Sequence, residues 1–126
     1  MPITYRIDKD LQVVFSQGEG VVTVQEMKVY FQTLGQDSGF TSTFSELADT
    51  SGITELDPTI PEWRNVADED SVFGKESRRA IVIPDYPRLY GLVRMYQTFR
   101  EDRPDKLQIF ESVKEAREWL GLGDDE

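Results

Sequence analysis

FSELADTSGITELDPTIPEW, residues 44–63, is the stretch on which the reading of the whole chain depends. Phe44 to Ala48 reads as a short strand, Asp49-Thr50-Ser51-Gly52 as its exit turn, and Ile53 and Leu56 as anchors of the loop that follows. A helix then has two possible starts, Asp57 as N-cap with Pro58 first, or Thr59 as N-cap with Glu62 completing a capping box. The second is preferred, because it puts Pro61 in the first turn, where a missing amide hydrogen costs nothing. Ile60, Trp63, Val66 and Ala67 then share a face, and Asp68-Glu69-Asp70 marks a solvated end. Strand, loop and helix make one unit, and the flanking sequence supplies further copies of it.

Upstream, Ile3, Tyr5 and Ile7 alternate with polar residues, and after Asp8-Lys9-Asp10 the pattern resumes at Leu11, Val13 and Phe15. Both runs read as strands with a short polar join, an antiparallel hairpin at a sheet edge. Gly18-Glu19-Gly20 reads as a break in the second strand. Thr23 and Glu26 have the spacing of a capping box ahead of Met27, Tyr30, Phe31 and Leu34, which recur at helical spacing. Gly35 and Asp37-Ser38-Gly39 end that helix.

Downstream, Ala80-Ile81-Val82-Ile83 is a continuous β-rich run of the kind buried on both faces of a parallel sheet. Pro84-Asp85-Tyr86-Pro87 restarts the chain as a helix with an apolar stripe of Leu89, Leu92, Val93, Tyr96 and Phe99, around which Arg88, Arg94, Gln97 and Arg100 are placed. Leu107, Ile109 and Phe110 form a last strand. Ser112 and Glu115 cap a last helix carrying Val113, Ala116, Trp119 and Leu120, with Gly121 at its C-cap. The order β-β-α-β-α-β-α-β-α predicts a single α/β domain over residues 1–126, with a mainly parallel five-stranded sheet and an antiparallel edge strand.

Composition narrows the function. The 126 residues contain no cysteine and no histidine. Thiolate zinc sites, thiol nucleophiles, serine-histidine triads and histidine-ligated catalytic metals are thereby excluded. A net charge of -10 argues against nucleic acid and anionic membrane surfaces, whose binding needs Lys and Arg. Apolar runs are too short to span a bilayer, and Met1 to Asp10 does not read as a signal sequence, so a cytoplasmic location without membrane insertion is expected. No cofactor motif is present.

The element order, the segment Ser51-Gly52-Ile53-Thr54-Glu55-Leu56-Asp57-Pro58-Thr59, and Arg79-Ala80-Ile81-Val82-Ile83-Pro84-Asp85 with Gly91-Leu92-Val93-Arg94-Met95 resemble the STAS superfamily in its SpoIIAA-like branch. The resemblance implies a bacterial, non-enzymatic regulatory or protein-binding module of the anti-sigma-factor antagonist type. It also implies a partner kinase that docks on the loop before the second helix and phosphorylates a Ser or Thr there. Aligned on Ser51-Gly52-Ile53-Thr54, the chain puts Asp57 on the motif's Asp, Pro58 on its first Ser, Thr59 on the phosphoacceptor and Ile60 on its Gly. Asp49-Thr50-Ser51-Gly52 mimics the same pattern seven or eight residues early. A looser similarity to SEC14-like folds implies a lipid-like or other apolar small ligand, and with it a sizeable closed cavity under the third helix.

Two groups of residues are therefore candidates. Asp49, Ser51, Asp57 and Thr59 form the candidate partner loop, in which Thr59 is either a regulatory phosphoacceptor at a helix N-terminus or an N-cap. Tyr86, Tyr90, Arg94 and Met95 form a candidate interface helix for self-association or a protein partner, since Tyr, Met and Arg are enriched at interface cores. A third possibility is a magnesium-dependent phosphotransfer site built from Asp49, Asp57 and Asp85, each following a parallel strand.

Overall fold

Right-handed crossovers that all step the same way across a sheet deposit their helices on one face, and this chain does so three times. In the computed structural model, residues 3–57, 60–69, 72–84, 87–102 and 105–123 are described. The elements are β1 (Ile3–Asp8), β2 (Val13–Val22), α1 (Val24–Gln36), β3 (Ser45–Leu56), α2 (Ile60–Glu69), β4 (Arg78–Val82), α3 (Pro87–Phe99), β5 (Lys106–Phe110) and α4 (Val113–Leu120). The five strands lie in chain order, with β1 antiparallel to β2 and every other pair parallel. Helices α1, α2 and α3 cover one face, and α4 alone packs on the other, over β3, β4 and β5.

Strands covered on both sides bury consecutive residues in opposite cores. Ala80 and Val82 pack toward α4, whereas Ile81 and Ile83 join Met27, Val66, Leu89 and Val93 under the three helices. In the same way Leu47 faces α4, and Glu46 and Ala48 face the helical side. A third cluster of Val14, Tyr30, Leu34 and Phe73 extends the helical core toward the edge hairpin. The hairpin turn takes up residues 9–12 and β2 starts at Val13. Leu11, expected within the strand, instead donates its amide to Asp8 Oδ1 at 3.0 Å and is exposed.

The caps follow the sequence closely. Thr23 Oγ1 accepts from the Glu26 amide at 3.2 Å while Glu26 Oε1 accepts from the Thr23 amide at 2.8 Å, so each satisfies a donor that the first turn leaves open. Thr23→Ala is expected to cost about 1 kcal/mol in a chemical denaturation curve. Ser112 caps α4, and Gly121 ends it at φ 78, in the left-handed region suited to glycine.

The edge hairpin is tied to the end of α1 by a hydrogen bond that titrates. Tyr5 donates its hydroxyl to Asp37 Oδ2 at 2.7 Å, and the Gly39 amide donates to Asp37 Oδ1 at 2.8 Å. Desolvation first, and the Asp37 carboxylate second, push the Tyr5 phenol up to about 12. The Gly39 amide first, and the Tyr5 hydroxyl second, hold Asp37 below the usual carboxylate value. The folded state therefore holds the Tyr5 proton more tightly than an unfolded chain, whose tyrosines ionise near ~10. Its contribution is complete below that pH and is lost as pH rises toward about 12, whereas that of Asp37 is lost only in acid, below the ordinary carboxylate range. Tyr5→Phe is expected to make the alkaline fall in stability shallower, as read by denaturant titrations at several pH values. An unchanged alkaline slope contradicts this assignment.

Candidate functional site

The expected partner loop is mostly strand. β3 continues to Leu56 beside β2, which runs unbroken through Gly18 and Gly20 to Val22. Gln17 pairs with Asp49 and Glu19 with Gly52, and after Gly20 and Ile53 the next pair is Val21 with Glu55. At each of these two steps β3 has one residue more than β2, a bulge that bends the ribbon. The glycines act here through close approach. A Cβ at Gly18 would lie 2.6 Å from Ile53 Cδ1, and one at Gly52 would lie 2.9 Å from the Gly18 carbonyl oxygen. Residues that look like punctuation are what let the two strands stay paired while Ile53 turns into the core.

Asp49 and Ser51 therefore sit within β3 and not in an exit turn, with Asp49 Oδ1 accepting the Ser51 amide at 2.9 Å across the first bulge. Asp57 follows the strand end and donates its amide to the Val22 carbonyl at 2.9 Å. Seven residues lie between Asp49 and Asp57, and the two bulges shorten the span to about six residues of β2, roughly 20 Å, so these two carboxylates do not converge on a metal. Among the described residues no group of three acidic side chains could hold one. Asp85, Thr59 and Tyr86 lie outside the described residues. Helix α2 begins at Ile60 with Pro61 and Glu62 in its first turn. On α3, Tyr90 is 47 % exposed, Arg94 is exposed and donates to Gln97 Oε1, and Met95 is half-buried.

What converges instead lies between the sheet and the helices. Glu46 on β3 and Arg79 on β4 are register partners on neighbouring strands, 1 % and 2 % exposed. Arg79 Nε donates to Glu46 Oε1 at 2.9 Å, and Tyr30, reaching down from α1, donates to Glu46 Oε2 at 2.6 Å. Arg79 Nη1 lies 3.3 Å from the Tyr96 hydroxyl of α3 and 3.7 Å from Asp105 Oδ2, and Asp105 Oδ1 accepts from Arg100. The guanidinium of Arg79 is enclosed by the rings of Phe31, Phe73 and Tyr96 at 5.5, 4.8 and 5.8 Å. Burial, and then the Glu46 charge, push the Tyr30 phenol well above its usual value, so it stays a donor. Two carboxylates and two guanidiniums balance.

This cluster forms one end of a pocket of about 120 Å³ that runs along β3 beneath α1 and α3. Met27, Ile53, Leu56, Ile81, Leu89 and Val93 supply the apolar walls. On the opposite face, where α4 leaves β1 and β2 uncovered, an open trough of about 580 Å³ is lined by Arg6, Phe15, Gln17, Asp49, Val113 and Arg117. Its floor is already in use, because the Arg6 guanidinium stacks on Phe15 at 4.3 Å.

The sequence matches no protein-family model and no curated protein. Among solved structures, it is similar to an uncharacterized protein from the DUF3478 family of Shewanella loihica PV-4, described as having a SpoIIAA-like fold. The two share 19 % identity, with 94 % of this chain and 93 % of that chain covered at a TM-score of 0.63. The fold is SpoIIAA-like. No helix among the described residues is long and apolar enough to cross a membrane.

In this SpoIIAA-like domain the four buried charges went unread in the sequence. Arg79 directly precedes the apolar run Ala80–Ile83 and is 2 % exposed, and Arg100, expected around the α3 stripe, is 4 % exposed against Asp105. A signal was present. Leu89, Val93, Tyr96 and Arg100 are spaced by four, three and four residues, so Arg100 continues the buried stripe. Glu46, between Ser45 and Leu47 in a strand that the structure covers on both faces, is likewise buried and paired.

Proposed function

We propose that this SpoIIAA-like domain is a non-catalytic binding module whose ligand is a small apolar molecule held between the sheet and helices α1 and α3. The observation that carries the reading is the pocket itself, a space of about 120 Å³ walled by aliphatic side chains. At its polar end, Glu46 and Arg79 are engaged with each other and with tyrosines. Groups committed in this way specify and orient a ligand more readily than they transfer protons. The volume is well below the ~300 Å³ at which drug-sized pockets begin, so the ligand is one ring or a short chain. Native mass spectrometry of protein purified from its own host, followed by methyl NMR with small apolar probes, tests this. A retained small molecule, or probe-induced shifts at Ile81, Leu89 and Val93, supports it. Ligand-free protein whose pocket methyls ignore every probe overturns it.

A second reading, the protein-partner role that the STAS resemblance implies, is supported by the outer side of α3. There the half-exposed Tyr90 stands near exposed Arg88 and Arg94 on an otherwise acidic chain. Arg94→Glu is the test, with the mass of the native assembly as readout. An unaltered monomer contradicts self-association through this face.

A further inference from the structure

The walls of the pocket favour hydrocarbon, but its polar end imposes a second condition. Glu46 accepts one described hydrogen bond on each oxygen, from Arg79 and from Tyr30. A carboxylate paired with a guanidinium offers about four lone-pair sites, so this buried group retains acceptor capacity. A ligand group meeting it must donate. The charges around it restrict that donor further. Glu46 and Asp105 are matched by Arg79 and Arg100, so a ligand carboxylate would face Glu46 as a like charge. A ligand ammonium at Glu46 would meet a carboxylate already matched by Arg79, and the other carboxylate on the described lining, Asp49, accepts the Ser51 amide. Either incurs the desolvation cost that the paired cluster avoids.

We infer that the pocket selects a neutral molecule, about one ring in size, bearing a single O–H or N–H donor that bonds to the Glu46 carboxylate. This rests on the pocket being a ligand site, as proposed above. The size follows from the volume, since an apolar cavity of ~150 Å³ holds benzene.

Four probes of nearly equal size separate the possibilities on the wild-type protein: phenol, toluene, benzoate and benzylamine, with dissociation constants read from the methyl shifts of Ile81, Leu89 and Val93. Phenol is expected to bind about tenfold more tightly than toluene, the value of one hydrogen bond to a charged acceptor, and more tightly than either ion. Toluene binding as well as phenol overturns the donor requirement and leaves the pocket reading intact. Benzoate or benzylamine binding as well as phenol overturns neutrality and likewise leaves the pocket. If no probe moves these methyls, the pocket reading fails and this inference fails with it. Glu46→Gln, if folded, is expected to bring the phenol-to-toluene ratio toward one. The wild-type series decides the matter without this variant.

Discussion

Replacing Arg79 with methionine is expected to destabilise the domain by about 3–5 kcal/mol, the largest effect of any single change considered. The side chain is 2 % exposed and faces Glu46 and Asp105, with Arg100 as the only other described cation on the cluster. Without Arg79, two buried carboxylates share one guanidinium, and Glu46 keeps only the Tyr30 hydroxyl among its described hydrogen bonds. The three rings that surround the guanidinium also lose the cation they enclose. The loss is read as a shift in the midpoint of urea denaturation, and a change below about 1 kcal/mol would place Arg79 among surface charges of little consequence. The companion variant Glu46→Met with Arg79→Met removes the register pair together and leaves Asp105 balanced by Arg100. It is expected to be more stable than Arg79→Met alone, because a whole ion pair replaced by apolar groups is less costly than half of one. A double variant as unstable as the single one assigns the effect to the shape of the arginine and not to its charge.

The same residues show where sequence reasoning reaches its limit. Local signals carried far: the capping box at Thr23, the N-cap at Ser112, the stripe on α3, the two-sided run Ala80–Ile83 and the antiparallel edge hairpin are all in the structure, because each depends on neighbours within a few residues. The β2–β3 ribbon did not carry over. Whether Gly18 and Gly52 end a strand or allow two strands to pack closely depends on what lies across from them. In this fold that is Ile53 and the Gly18 carbonyl, about thirty-five residues away in the chain. Asp49 and Ser51, which read locally as a turn, are therefore strand residues once β2 and β3 pair. The buried quartet was hidden for a related reason. Its members belong to β3, to β4 and to the segments flanking α3 and β5: the register puts Glu46 opposite Arg79, and the turn between α3 and β5 brings Arg100 onto Asp105.

Filling the pocket should separate space from packing. Val93→Phe places a larger side chain where Val93 lines the pocket between α3 and the sheet, whereas Ala80→Leu places one against Val13, Leu47 and Ala116 beneath α4, in a cluster where Ala80 itself is 0 % exposed. Both add bulk to a buried apolar site. In a close-packed core such an addition forces neighbours off their preferred rotamers and costs about 1–3 kcal/mol, which is the outcome expected for Ala80→Leu. For Val93→Phe the expected cost is below about 1 kcal/mol, because the ring enters space that is already there, and the affinity for small apolar probes is expected to fall at least about tenfold as that space is consumed. Denaturation midpoints and methyl-shift titrations of the two variants read both quantities. Equal destabilisation by the two substitutions would mean that the helical face is packed as tightly as the α4 face. If Val93→Phe were well tolerated and probe binding unchanged, the probes would have to bind elsewhere, and the trough beside α4, with Arg6 and Arg117 on its walls, would be the next surface to examine. A tolerated Val93→Phe that no longer takes up probe ties the binding reading to the space between Glu46 and Leu56, where β3, α1 and α3 meet.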